Sequence, residues 1–406
     1  MEAFYMTKSL KKIFSLLISF CLLLSIANAS VLVHAENFND GQAAQIISIE
    51  VPSNIQAYAI SILPKHLNAA KKTPIEYGLG NIDISKLVLG KPFNIYAYDN
   101  EEVTNTGIYY FPVLFNGNIE ATLAITKNRN GDLSSTFSKS FSSNLNKILL
   151  NNKNKKYRLF SINNELRAID NNNALLVSND VSEKKSIREI DANTISKING
   201  LIDNNIKEKK YKEYNIEPLK AENNSSMNSE NIIQFDPDRP TSSKYLNVPY
   251  ISQIINNVSY NWCWAATCAS IITYKTTYSV TASKVVEYIY KGDVDKGGTP
   301  DQDIKAYNNW HLYPYHDCWN VTWSDAIREL ANGNPIHSLW YTINKSLGHS
   351  MTVRGYEYYE DTNSKVYLLI DPNIGYISVT GQTNSGDCVY VMDGNNFYWS
   401  ESIRGF

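Results

Sequence analysis

Asn261-Trp262-Cys263-Trp264-Ala265-Ala266 is the stretch on which the reading of this chain turns, together with Gly348-His349-Ser350-Met351 downstream. A cysteine between two tryptophans opens an apolar run in which Ala265, Ala266 and Ala269 offer a small-residue helix face suited to close packing under a sheet. The pattern predicts a helix capped by Asn261 and running to about Lys275, with Cys263 where that helix begins. Position matters because only the thiolate is a strong nucleophile, and a thiol's pKa falls at a helix N-terminus and beside an imidazolium. Cys268 falls deeper in the same helix and reads as core.

A base for that thiol has to come from elsewhere in the fold, because such partners meet in space and not in sequence. Of the six histidines, His349 is the candidate: Gly348 admits a close approach just before a strand whose face continues through Met351, Val353 and Gly355. His337 lies inside a second strand at 335–342 and reads as structural. His311, His316 and Cys318 fall near one another, but their spacing fits no zinc pattern, so no metal or other cofactor is expected. A third group must orient the imidazole through its other nitrogen. Residues 358–364 form a polar turn, so the strand from His349 pairs antiparallel with one ending at Ile370, and His349 falls opposite residues 371–375. Asp371 is the expected partner and Asn373, on the same face, the alternative. An oxyanion would need the backbone N–H of Cys263 and a side-chain amide; Gln253 is preferred and Asn257 is the second candidate.

Around these residues the order is helix first, sheet later. Helices are expected at 281–290, from Thr299-Pro300 to about Trp310, and from Thr322 to Gly333; strands are expected at 335–342, 349–359, 365–370 and 388–392. This α+β region begins after a polar, turn-prone linker at 221–243, and all seven tryptophans lie beyond that linker. Residues 36–220 form a β-rich α+β region: a hairpin joins 107–115 to 119–126 through Asn116-Gly117, a second β pair joins 157–162 to 174–177, and 143–150 is a short helix. At the start, Lys8, Lys11 and Lys12 precede an apolar run at 13–24, a signal-peptide pattern with cleavage expected after Ala35 and after Ala29 as the competing site. Secretion follows, with no stable membrane association after cleavage. A net charge of −2 excludes nucleic acid as a partner. The cysteines are too few for a disulfide scaffold; one bridge at most is expected, with Cys318–Cys388 as its candidate.

Taken together, Gln253, Asn261 to Ala266, Gly348-His349-Ser350-Met351-Thr352-Val353-Arg354-Gly355-Tyr356 and Asp371-Pro372 resemble papain-like cysteine peptidases. The resemblance covers about 245–406 and points to the compact bacterial branch, with staphopain-like enzymes and the peptidase domains of bacteriocin-processing transporters. It implies a papain-like domain at 244–406: a helical subdomain carrying Cys263, an antiparallel β subdomain carrying His349 and Asp371, and a cleft between them. It further implies a secreted endopeptidase that cuts protein or peptide substrates through a thioester acyl-enzyme. Three features depart from the family pattern. Asp371 stands where papain has Asn; Gln253 lies ten residues before Cys263 instead of about six, where Asn257 stands, and an insertion at 256–259 would account for the shift; and transporter segments are absent, which argues against export-coupled processing. Behind the signal peptide at 1–35, the region 36–220 then reads as a prodomain covering the cleft until the linker is cut, with an independent binding domain as the alternative. Two other functions compete. A secreted Cys–His cell-wall amidase or endopeptidase would usually show Asp-Cys-Ser/Gly at its nucleophile and repeated wall-binding modules; a non-catalytic binding protein on the same scaffold would leave Cys263 unreactive.

Overall fold

The computed structural model describes residues 44–80, 82–178, 190–205, 211–219, 237–381 and 388–406. The signal-peptide reading of 1–35 and most of the linker at 221–243 lie outside these residues. In the N-terminal region, β1 (Gln45–Ile49) leads into α1 (Ser53–Lys72), followed by β2 (Val88–Leu89), β3 (Phe93–Asp99), β4 (Glu102–Phe115), β5 (Asn118–Lys127) and β6 (Leu133–Ser138). Then come α2 (Ser142–Asn151), β7 (Lys156–Ile162), β8 (Glu165–Ile169), β9 (Ala174–Leu176), α3 (Ala192–Asn205) and β10 (Tyr211–Tyr214). β4 and β5 close through Asn116 and Gly117, both at positive φ (49° and 81°), the backbone that a two-residue primed turn requires. The second expected pair needs correction. β8 lies between 157–162 and 174–177, pairing with β7 on one side and β9 on the other. Its turn, Asn163-Asn164 at φ 51° and 66°, has the same geometry without the glycine that marks such turns in a sequence.

The C-terminal region begins with β11 (Ser242–Tyr245), β12 (Ile254–Ile255) and β13 (Val258–Ser259), then the helices α4 (Cys263–Lys275), α5 (Ala282–Tyr290) and α6 (Pro300–Asn309). After β14 (Tyr315–Asp317) and α7 (Trp323–Ala331) come β15 (Ile336–Tyr341), β16 (Gly348–Tyr359), β17 (Ser364–Asp371), β18 (Gly375–Thr380), β19 (Val389–Met392) and β20 (Asn395–Arg404). The threonine signals act as caps: Thr281 accepts from Lys284 N–H, Thr322 from Asp325 N–H, and Thr299 forms a capping box with Gln302 ahead of Pro300. α4 differs. Trp262 takes its cap position without a side-chain bond to the helix end, while Asn261 turns away and donates to Asp295 from both its backbone and side-chain amides, at 2.6 and 3.1 Å. The N-terminus of α4 is therefore left without a side-chain acceptor, beside the Cys263 thiol.

β15 to β18 form an antiparallel run, with β20 on the other edge of β15 and β19 beside β20. β11, which straddles the end of the expected linker, pairs with the far half of β16, where Tyr245 faces Gly355. A bulge interrupts β16 between Val353 and Gly355, and a Cβ on Gly355 would lie 2.4 Å from the Lys244 carbonyl oxygen. The helices enclose a core of their own around Trp262, Trp264, Ala266, Ile272, Val285 and Tyr307. A larger core joins the sheet to the N-terminal region, combining Leu63, Phe111, Leu123 and Phe137 with Val353, Tyr367 and Ile377. β6 pairs antiparallel with β18, Phe137 facing Ser378, so strands from both regions share one sheet. By its internal contacts the chain from Ala43 to Phe406 is one compact unit. No helix among the described residues is long and apolar enough to cross a membrane. None of Cys263, Cys268, Cys318 and Cys388 is in a disulfide. The candidate Cys318–Cys388 bridge is absent because Cys388 is buried, donating to the Thr380 carbonyl at 3.2 Å, while Cys318 is exposed.

Candidate active site

α4 packs against β16, and this contact sets Cys263, at the first position of the helix, against His349, at the head of the strand. His349 pairs with Trp340 of β15 and stands just past the end of the β16–β17 ladder, where Thr352 faces Ile370. β17 ends at Asp371, and the turn Pro372-Asn373-Ile374 returns the chain to Gly375 opposite it. Gly375 takes φ 99°, a conformation open to glycine at little cost. This turn places the Asp371 Oδ1 3.0 Å from His349 Nε2. With Nε2 engaged there, Nδ1 is the nitrogen left for the Cys263 thiol, and ring and thiol lie close enough for each to shift the other's titration.

Asp371 is wholly buried, and each of its oxygens is used. Oδ1 also accepts the Asn373 N–H at 2.7 Å, and Oδ2 accepts the Tyr390 hydroxyl at 2.5 Å. The His349 ring stacks on Tyr390 and meets Phe397 edge-on, so aromatic faces screen it from water. The electrostatics are reciprocal. Burial raises the thiol pKa of Cys263, but its hydrogen bond to His349, the charge of that ring and the N–H groups of Ser350 and Trp264 outweigh it and hold the thiol below its ordinary value. For His349 burial works downward, yet the carboxylate of Asp371 and the bond to it push the imidazole well above its usual range. Burial likewise raises Asp371, and the His349 charge with the bonds from His349, Tyr390 and Asn373 brings it below. A proton is thereby favoured on the ring and disfavoured on sulfur.

Of the two upstream amides, Gln253 bonds to the turn that follows Asp371, and Asn257 is exposed in a hairpin. Gln253 is buried; its backbone N–H donates to the Pro372 carbonyl at 3.0 Å, and its side-chain Nε2 donates to the Tyr260 carbonyl at 3.1 Å. Residues 256–259 belong to a hairpin: Asn256 and Asn257, exposed and at φ 51° and 62°, turn β12 into β13. Asn373 stays beside Asp371 but touches it through its backbone, and its Oδ1 is buried without a hydrogen-bond partner.

Tyr390 was not anticipated. It is one of 28 tyrosines in the chain, and nothing local distinguishes it; only the return of β19 beside the site brings its hydroxyl to Asp371. Of the other histidines, His316 pairs with Glu401 at 2.9 Å, and His337 is buried with its Nδ1 against the Tyr307 hydroxyl at 3.1 Å. Among the described residues, the group with the chemistry of a metal site is Cys268, Asp303 and His337, whose ligand atoms lie within 4.8 Å of one another in the helical core. It is separate from the Cys263–His349 contact, and no step below uses it.

In the C-terminal region a helical half and an antiparallel β half meet at the Cys263 thiol, an arrangement with the chemistry of a cysteine-type peptidase. Residues 245–402 match the sequence model described as the Peptidase_C39 like family. No curated protein matches the chain. Among solved structures, UfSP from C. elegans aligns with a TM-score of 0.30 and 9% identity, over 90% of this chain and 77% of its own.

Proposed function

We propose that this chain is a secreted cysteine endopeptidase, made with a signal peptide at 1–35, a pro-region at 36–220 and a linker at 221–243, and acting outside the cell on protein or peptide substrates. The observation that carries the reading is the series that runs from the Cys263 thiol at the start of α4 to the His349 ring at the head of β16, and on to the buried Asp371 carboxylate, 3.0 Å from Nε2. In this mechanism the thiolate of Cys263 attacks the peptide carbonyl carbon. The carbonyl π electrons move onto oxygen, and the oxyanion is held by the N-terminal end of α4, the Cys263 N–H among its donors, with Gln253, whose Nε2 otherwise bonds Tyr260 and Ser259, as the side-chain amide that turns toward it. The His349 imidazolium then gives its proton to the leaving amine as the C–N bond breaks, leaving a thioester on Cys263. Water, deprotonated by the now neutral ring, hydrolyses that thioester and restores the thiolate–imidazolium pair. Asp371 stays ionised throughout and, with Tyr390 holding its second oxygen, fixes the ring's orientation.

The test is casein hydrolysis by the purified chain and by Cys263→Ala. The substitution should lower the rate by on the order of 10⁴-fold; undiminished hydrolysis by the variant would sink the assignment. Running the same pair on purified cell walls separates a peptidoglycan hydrolase from an endopeptidase of proteins. Failure of a thiol alkylator to modify Cys263 in the folded chain would favour a non-catalytic binding protein.

A further inference from the structure

The pro-region is expected to cover the cleft, yet its principal contacts fall on β17, β18 and β19, the strands that carry and support Asp371. Backbone bonds come first. β6 completes the edge of β18, the Glu76 carbonyl accepts the Tyr376 N–H at 3.2 Å, and the Tyr77 hydroxyl donates to the Ile377 carbonyl at 3.2 Å. These bonds grip the strand that leaves the Asp371 turn. On the other side, Thr136 Oγ1 accepts the Val391 N–H at 3.1 Å, next to the Tyr390 that bonds Asp371 Oδ2. Buried polar groups are also completed across the boundary: His66 lies between Ser135 and Ser378 at 2.8 and 2.7 Å, and Asn68 donates to Glu357 at 2.6 Å. The apolar side chains between them form one continuous core. An interface with an uninterrupted core, a shared sheet and buried hydrogen bonds is that of an obligate subunit. A strand-edge seal also removes the unpaired edge that β18 would otherwise present.

We propose that the N-terminal region is a permanent partner of the peptidase domain that holds the Asp371 turn and Tyr390 in position, so that cutting the linker leaves two fragments joined as one active particle. Its partner chemistry is specific: a β-edge, an apolar face and a set of buried hydroxyl and amide groups found on this same chain. The inference rests on the reading of Cys263, His349 and Asp371 given above, and its sign is opposite to that of an inhibitory cover.

The experiment inserts a recognition site for a sequence-specific protease at 224–230 of the full-length protein. The cut Cys263→Ala form is examined by gel filtration, and the cut active form by casein hydrolysis. The two fragments should elute together at the position of the uncut chain, and cut and uncut rates should agree within about twofold. Thr136→Val, which removes the acceptor beside Tyr390, should lower kcat by roughly three- to tenfold with KM unchanged and move the alkylation profile of Cys263 to higher pH. Separation of the fragments, with hydrolysis rising after the cut, would overturn the proposal, as would unchanged kcat and alkylation in Thr136→Val. Co-elution is read without any activity, so a chain whose fragments stay together but which never cleaves casein would fail the peptidase reading and leave the association standing.

Discussion

At the scale of single residues, the site works by moving one proton. A sulfur whose pKa is depressed and a ring whose pKa is raised will together hold the proton on nitrogen across neutral pH, because each ionised form stabilises the other in a poorly hydrated pocket. Activity should accordingly rise with pH through the depressed pKa of the pair, and fall where the imidazolium finally deprotonates, well above the ordinary histidine range. Alkylation of Cys263 followed against pH reads the first limb directly. In Asp371→Asn the ring loses its counter-charge, so the limb should move to higher pH and the rate at neutral pH should drop. Tyr390→Phe keeps the carboxylate charged but frees its Oδ2. A hydrogen bond to a charged group contributes about 1.5–3 kcal/mol, and losing it should reduce kcat roughly tenfold while leaving KM near its original value. Equal kcat in wild type and Tyr390→Phe would show that the hydroxyl has no positioning role.

At the scale of elements, two departures from regularity serve the site. α4 begins without a side-chain cap because Asn261 is drawn to Asp295, which leaves N–H donors at the helix end where the proposed oxyanion forms. Asp295→Ala should release Asn261, and the check is whether kcat falls as the amide swings back over the helix end. The second departure is the bulge at Gly355, which re-aims β16 so that β11 and β15 can share one edge of it. Gly355→Ala would drive a methyl group into the Lys244 carbonyl, 2.4 Å away, at a cost of about 1–3 kcal/mol for overpacking. Denaturant unfolding of the two proteins measures that cost, and equal midpoints would exclude it.

Across the whole molecule, acid stability depends on the junction of the two regions. His66 is buried there, and burial with the neighbouring Lys65 charge lowers its pKa to about 3. The folded chain keeps this ring neutral while the unfolded chain protonates it below about 6.5, so stability is lost as pH falls from that value toward the folded pKa. At pH 5 the loss amounts to about 2 kcal/mol. His66→Gln, which can still bridge hydroxyl groups, should remove roughly that amount from the fall in unfolding free energy between pH 7 and 5, measured by denaturant unfolding, and an unchanged fall would place the acid sensitivity elsewhere.

The chain's local signals were legible before any fold was known. Threonine caps and Pro300 marked helix starts, Asn116-Gly117 marked a hairpin, and the residues flanking Cys263, His349 and Asp371 marked a helix start, a strand head and a strand end. Each depends on residues a few positions apart, so its cause is written into a short stretch of sequence. What only the tertiary structure decided is everything carried by distant pairs: Tyr390 on Asp371, Gln253 on the Pro372 carbonyl with Asn257 at a hairpin tip, and β6 sealing β18. A strand edge can accept any partner of suitable register, and one tyrosine hydroxyl resembles another. Which of them meet is chosen by packing the whole chain at once, and that choice leaves no local pattern to read.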